Sequence, residues 1–280
     1  MVLIAVMFAI QTVANVRSQE TVAITNESLV NTNDLAATTN EPPATKLIPI
    51  EDKARWKWDV QLKRQFTDRA TPQESSRTTI RMEVTPQDFF LSLIRLDVPF
   101  VDKNNGDAFG PHLGDINTKL VSRQVSWHGI WADGVFETVF PNARPKSLGN
   151  GKYQFGPGFD LTFPLLNTDR DTSRIWYVSF DWFTKQVFSI AGDSDFKDIN
   201  YTKAELGLEA VWRRKLSLEL TPKPVYDWKQ DKSGAVIELE SDWNINRHWR
   251  LDLVLGHGLW NTSVPTGYES KIEFSVRYDF

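Results

Sequence analysis

Ile272-Glu273-Phe274-Ser275-Val276-Arg277-Tyr278-Asp279-Phe280 is the stretch of sequence that decides the fold. Apolar and polar residues alternate through it, so a β-strand here would carry one apolar face and one charged face. The sequence stops on the apolar face, at an aromatic residue. Because the ends of water-soluble domains usually fray into solvent, an apolar last strand favours a strand that faces lipid.

The same alternation starts near Arg55 and continues to the end of the chain. Trp56-Lys57-Trp58-Asp59-Val60-Gln61-Leu62 shows it first, and about twelve such segments follow one another, each roughly long enough to cross an outer membrane. Longer connections are expected near 99–113, 141–151 and 191–198, and the segment from Trp176 is either one long strand or a bent pair. The pattern predicts an all-β fold, a transmembrane antiparallel up-and-down β-barrel of about 12 strands. A soluble exported β-sandwich would show the same alternation.

Composition excludes several classes of protein. The net charge of −4 gives no electrostatic case for binding nucleic acid, and the absence of cysteine excludes disulfides and thiolate metal sites. A mean hydropathy of −0.37 and the lack of an apolar run of about 18 residues exclude a helical membrane protein. The 11 Trp and 17 Phe residues suit a large apolar surface with wet edges.

The chain divides into three parts by composition. Residues 1–18 contain the apolar run Val2–Ile10 and predict a signal peptide, although no Lys or Arg precedes the run, so a hydrophobic N-terminal helix is the alternative. Residues 19–54 are rich in Thr, Asn, Ala and Pro and predict a flexible polar leader. Residues 55–280 form the predicted barrel. Export and a barrel together predict the outer membrane of a Gram-negative cell.

Aromatic residues near the strand ends favour the barrel over the sandwich, because Trp and Tyr form girdles at both membrane interfaces. The predicted girdle residues are Trp56, Trp127, Trp176, Trp212, Trp243, Trp249, Trp260 and Tyr278.

Three segments carry resemblances to known proteins. The last strand resembles the closing strand of bacterial outer-membrane β-barrels, which implies that Tyr278 and Phe280 form a signal for the barrel assembly machinery. Gly114-Asp115-Ile116 and the stretch from Pro141 to Gly158, with its Leu-Gly-Asn-Gly-Lys-Tyr core, resemble the outer-membrane transporter family linked to the meta-pathway of phenol degradation. That resemblance implies passage of small, aromatic or hydrophobic, solutes.

Charged residues on the polar faces of the strands are the candidate lining of a lumen. They are Asp59, Arg81, Glu83, Arg95, Asp97, Asp181, Glu205, Glu209, Glu219, Glu238, Glu240, Arg250, Asp252, Glu273 and Arg277. Two interpretations stay open: the side chains pair across strands and fill a narrow lumen, or they line a conducting path. Carboxylates dominate from Glu205 onward, which favours cations if the path holds water.

Signals for catalysis and for cofactors are weak. His112, His128, His248 and His257 show no metal-ligand spacing, so neither a metal nor a cofactor is predicted. Ser126 near His128, and Ser241 with His248, are the only candidate nucleophile–base pairs, and no nucleophile-elbow signature surrounds them.

The sequence therefore favours a non-enzymatic outer-membrane channel or transporter that works by passive or facilitated diffusion. Its predicted partners are outer-membrane lipid, the barrel assembly machinery and a small-molecule solute, and not nucleic acid. A plugged barrel with a structural or adhesive role and a lipid-modifying enzyme are the alternatives.

Overall fold

The strands form one closed antiparallel barrel. The computed structural model describes five stretches of the chain: 56–86, 89–104, 107–166, 176–213 and 215–280. The predicted signal peptide and polar leader lie outside these residues.

Alternating apolar and polar residues form fourteen strands in the described part. They are β1 (Trp56–Thr67), β2 (Ser75–Pro86), β3 (Leu91–Asn104), β4 (Asp107–Leu113), β5 (Ile116–Ser122), β6 (Val125–Trp127), β7 (Ile130–Phe140), β8 (Lys152–Leu166), β9 (Trp176–Gly192), β10 (Asn200–Trp212), β11 (Leu216–Asp227), β12 (Lys232–Asn244), β13 (Trp249–Trp260) and β14 (Ser270–Asp279). A single 3₁₀ turn, Lys146–Leu148, lies between β7 and β8.

Pairing between the first and last strands closes the sheet. β1 and β14 run antiparallel in a register from Asp59 opposite Asp279 to Thr67 opposite Lys271. Twelve strands complete the circuit, because β4 pairs only with the end of β3 and β6 only with the start of β7. Closure leaves no free sheet edge, which is what a β-structure inside a bilayer requires. The predicted all-β barrel of about twelve strands is confirmed.

The barrel has two rims. We call the end where β1 begins and β14 ends the terminal rim. The opposite end, where β1, β3, β7, β9, β11 and β13 end, is the distal rim.

The outer face of the barrel is apolar and exposed. Leu62 is 54% exposed, Phe274 49% and Leu253 43%, and each is next to a charged residue in its strand. A continuous exposed apolar belt of this kind is typical of a surface that meets lipid. Trp56, Trp212, Trp243, Trp249 and Tyr278 lie at the terminal rim, whereas Trp260 lies at the distal rim.

The structure differs from one predicted connection and decides between the two alternatives for another segment. The loop expected near 99–113 is wrong, because β3 continues to Asn104 and β4 returns along it, with Phe100 opposite Leu113. The segment from Trp176 is one strand of 17 residues. No helix within the described residues is long and apolar enough to cross a membrane.

Candidate functional site in the barrel lumen

The inner face of the barrel carries the predicted charged residues. All fifteen, from Asp59 to Arg277, stand on positions that alternate with the outward apolar side chains. Fourteen of them belong to three groups, which differ in how their charges are paired, and Arg250 lies 3.9 Å from Asp279 at the terminal rim.

The first group is a chain of lysine–glutamate pairs nearer the distal rim. Lys223 lies 2.7 Å from Glu238 and 3.3 Å from Glu205, and Lys271 lies 3.0 Å from Glu238 and 3.4 Å from Glu273. The chain reaches from β1 through β14, β12 and β11 to β10, and its members are Lys63, Glu273, Lys271, Glu238, Lys223, Glu205 and Lys203. Because the side chain of Glu238 is only 8% exposed, its charge depends on these lysines for compensation.

The second group centres on arginines of β2, β3 and β14. Arg81 donates two hydrogen bonds to the carboxylate of Asp97, at 2.7 and 2.9 Å. Glu83 accepts from Arg95 at 2.7 Å and lies 3.4 Å from Arg277. A fork of donors against a planar carboxylate fixes the side chains of Arg81 and Asp97. With Asp59, which lies 3.9 Å from Arg277, three carboxylates face the three arginines of this wall.

The third group is an acidic wall nearer the terminal rim. Its members are Asp133, Asp160, Asp181, Glu209, Glu219, Glu240, Asp242 and Asp252. Glu219 lies opposite Glu209 on β10 and opposite Glu240 on β12, and Asp242 lies opposite Asp252. The ion pairs within the described stretches involve neither Glu219 nor Glu240. Like charges placed opposite one another destabilise a sheet, so this wall raises the free energy of the folded barrel unless cations approach it.

A loop folds into the lumen from the distal rim. Residues 261–269 connect β13 to β14, and Val264 from this loop packs with Val187, Tyr201 and Val225 of the inner wall. All four side chains are at most 7% exposed. The loop therefore narrows the lumen with an apolar contact just beyond the lysine–glutamate chain.

Tyr268 ties this loop to the wall. Its hydroxyl donates a 2.6 Å hydrogen bond to Oε1 of Glu238. Burial, together with the Glu238 carboxylate, raises the pKa of Tyr268, so the hydroxyl stays protonated and keeps donating.

Glycines in the wall make room for the loop. A Cβ at Gly256 would lie 2.4 Å from the Tyr268 hydroxyl, and one at Gly234 would lie 2.3 Å from the carbonyl oxygen of Asn261. Any larger residue on these inner positions of β12 and β13 would force the loop away from the wall.

The two segments that carry the family resemblance contact each other at the distal rim. Asp115 accepts hydrogen bonds from the backbone N–H of Ala143 at 3.2 Å and of Asn150 at 2.6 Å. Lys146 in the same loop lies 2.6 Å from Asp193 of the next loop. These bonds fix the β7–β8 loop against its neighbours on the rim.

Sequence reasoning missed part of the lumen. The lysines Lys63, Lys119, Lys185, Lys203, Lys223 and Lys271, and the carboxylates Asp133, Glu137, Asp160 and Asp242, share the inward positions. The same alternation with apolar residues that predicted the other inward side chains would have identified these lysines and carboxylates. Nothing comparable marked Val264 and Tyr268, because they lie in a loop.

The histidine and serine candidates are not assembled into a catalytic pair. Trp127 packs edge-on against the ring of His128, with centroids 4.7 Å apart, and Ser126 lies opposite Trp131. The Nδ1 atom of His248 bonds the carbonyl oxygen of Asp279 at 2.8 Å. Across the described ranges, no group of three or more His, Asp or Glu residues is arranged to hold a metal.

The predicted assembly residues lie at the terminal rim. The rings of Tyr278 and Phe280 meet edge-on at 4.9 Å, and the Phe280 N–H donates to the carbonyl oxygen of Trp58 at 3.0 Å. Phe280 is 74% exposed. Its role in assembly stays a prediction.

Comparison with known proteins supports the fold. No protein-family model and no curated protein matches the sequence. The structure is similar to an outer-membrane channel from Pseudomonas putida F1, with 12% identity, a TM-score of 0.57 and coverage of 86% of this chain and 100% of that one. It is also similar to the NanC porin, with 8% identity, a TM-score of 0.50 and coverage of 80% and 98%. The likeness to outer-membrane barrels is thus confirmed for the fold, and the phenol-pathway family stays a prediction.

Proposed function

We propose that this protein is a channel of the bacterial outer membrane through which small solutes diffuse, with a preference for cations. An apolar exterior, a closed sheet and a charged interior support it. The observation that carries the proposal is the pair Glu219 and Glu240, which lie opposite each other on β11 and β12 and take part in no ion pair of the described residues. A purely structural interior gains nothing from two carboxylates placed opposite each other, whereas a water-filled path lined by them attracts cations.

The nature of the solute rests on the resemblance. The Gly114-Asp115-Ile116 segment and the loop that Asp115 holds resemble transporters linked to phenol degradation. We therefore extend the proposal to small aromatic or hydrophobic solutes, neutral or positively charged.

Ion selectivity tests the proposal. In planar bilayers under a KCl gradient, the reversal potential should show that K⁺ permeates better than Cl⁻. Glu219→Gln with Glu240→Gln should reduce this preference severalfold, because both carboxylates face the lumen. Glu74→Gln is the matched control, since Glu74 pairs with Lys103 near the distal rim. An anion-selective wild-type channel would contradict the proposal.

A plugged barrel with a structural role is the second candidate. The infolded loop 261–269 and the lysine–glutamate chain favour it, because together they fill part of the lumen. Purified protein that inserts into bilayers and passes no current would establish this candidate in place of the channel.

A further inference from the structure

Loop 261–269 contacts the lumen wall through an apolar side chain and a hydroxyl, among other groups. Val264 supplies the apolar contact and Tyr268 the hydrogen bond. The ends of the loop are bonded to the rim instead: Asn261 donates to the carbonyl oxygen of Ser233, and Asp68 accepts from the N–H of Glu269. The tip is therefore fastened to the wall separately from its ends.

The backbone of the loop has a positive φ at two non-glycine positions. Asn261 has a φ of 43° and Thr266 a φ of 64°. For Thr266, a β-branched residue, the left-handed region is unfavourable, and such conformations persist only where surrounding contacts impose them. Release of Val264 and Tyr268 from the wall would remove contacts that hold this conformation.

The wall under Val264 has the composition of a binding site for a small apolar group. Val187, Tyr201 and Val225 come from three adjacent strands and face inward, in a lumen whose other inward groups are largely charged. Ile199 packs against the same cluster. Val264 covers this surface, and it is itself a small branched apolar group.

We propose that loop 261–269 is a displaceable plug, and that the surface formed by Val187, Tyr201 and Val225 binds the apolar part of a solute in place of Val264. The apolar surface and the acidic wall lie at different depths of the lumen. The solute class suited to pass both in turn is a small molecule with an apolar or aromatic body and a positive charge. A solute displaces the loop only to the extent that its affinity is higher for the barrel with Val264 released than for the barrel with Val264 on the wall. The inference rests on the proposed channel function and adds a solute class and a moving part.

Disulfide locking tests the moving part. The chain has no cysteine, so Val225→Cys with Val264→Cys introduces a single pair. Single-channel conductance should be severalfold lower when this pair is oxidised than when it is reduced. Val121→Cys with Val135→Cys is the control, because these residues face each other on β5 and β7 and do not touch the loop. Equal conductance in both redox states of V225C/V264C, with the disulfide shown by mass spectrometry, would overturn the plug.

A pair of quaternary ammonium ions tests the solute class. Benzyltrimethylammonium should permeate or block at severalfold lower concentration than tetramethylammonium, which has the same charge and no ring. Val225→Thr keeps the shape of the side chain and should abolish this difference, so that the two ions act at the same concentration. Equal behaviour of the two ions in the wild type would overturn the binding surface and leave the channel standing.

Failure of the channel itself would look different. Gly256→Ala places a methyl group 2.4 Å from the Tyr268 hydroxyl and pushes the loop from the wall. If neither the wild type nor this variant conducts any ion, although both are folded in the membrane, the proposed channel function is wrong, and the plug inference falls with it.

Discussion

Tyr268 and Glu238 join a loop to the barrel wall through one buried hydrogen bond of 2.6 Å. Glu238 also pairs with Lys223 and Lys271, so the loop is attached to the longest chain of charges in the lumen. Neutralising Glu238 would therefore disturb both the loop and the lysines. Glu219 and Glu240, which take part in no ion pair of the described residues, are the cleaner probes of ion selectivity.

Tyr268→Phe should open the loop without unfolding the barrel. A hydrogen bond to a charged group contributes about 1.5–3 kcal/mol. Its loss should shift the equilibrium between the docked and the released loop roughly ten- to hundredfold toward release. Single-channel recordings should show longer or more frequent high-conductance states. Tyr226→Phe, which loses a bond to Asp231 at the distal rim, is the control. Identical recordings for wild type and Y268F would show that the bond does not hold the loop.

Lys223→Met should destabilise the barrel strongly. The change leaves Glu205 without one of its two lysines and Glu238 likewise, and breaking a buried ion pair typically costs about 3–5 kcal/mol. Urea unfolding in lipid vesicles, followed by tryptophan fluorescence, measures the change in free energy. Lys229→Met, in the turn between β11 and β12, should leave stability unchanged. A decrease of less than about 1 kcal/mol in the free energy of unfolding for K223M would mean that water screens the charges of the lysine–glutamate chain.

A charge on the outer face should destabilise the barrel according to depth. Leu253 lies near the middle of β13 and is 43% exposed, so Leu253→Arg should cost about 2–4 kcal/mol in vesicles. Leu165, at the end of β8, is 61% exposed, and Leu165→Arg should cost only about 0–1 kcal/mol. Equal costs at both positions would contradict a bilayer around the barrel.

The ion pair between Lys146 and Asp193, which joins two distal loops, should depend on pH. The hydrogen bond from Lys146 lowers the pKa of Asp193 below the ordinary aspartate value of about 4. Because the pKa is lowered, the ion pair contributes its full stabilisation at pH values above the ordinary pKa. This stabilisation is lost as the pH falls through the lowered pKa. Amide hydrogen exchange in residues 141–151, corrected for intrinsic rates, should accelerate only below about pH 4. In Asp193→Asn, the fast exchange should already be present at pH 6.

The outer face was predictable because each residue of a membrane-spanning strand faces either the lipid or the lumen, and successive residues alternate. Leu251, Leu253 and Leu255 face outward and Asp252 faces inward because the strand alternates between the two sides. Once one strand is assigned, the register determines which residues of its neighbours share each side. The lysines of the lumen obey the same rule.

The infolded loop follows no such rule. Asn261-Thr262-Ser263 has the composition of any surface turn, and the direction in which it folds depends on space that only the assembled wall defines. The single hint was glycine at inward positions of strands, at Gly234 and Gly256, where a strand normally carries a side chain.

The position of the loop within the circuit links narrowing to assembly. The plug lies between β13 and β14, and β14 is also the strand that pairs with β1 to close the sheet. Val264 reaches across to strands β9, β10 and β11, so its contact surface exists only after those strands have curved around. The hairpin that completes the sheet therefore also carries the segment that narrows its interior, and both depend on the same curved arrangement of strands.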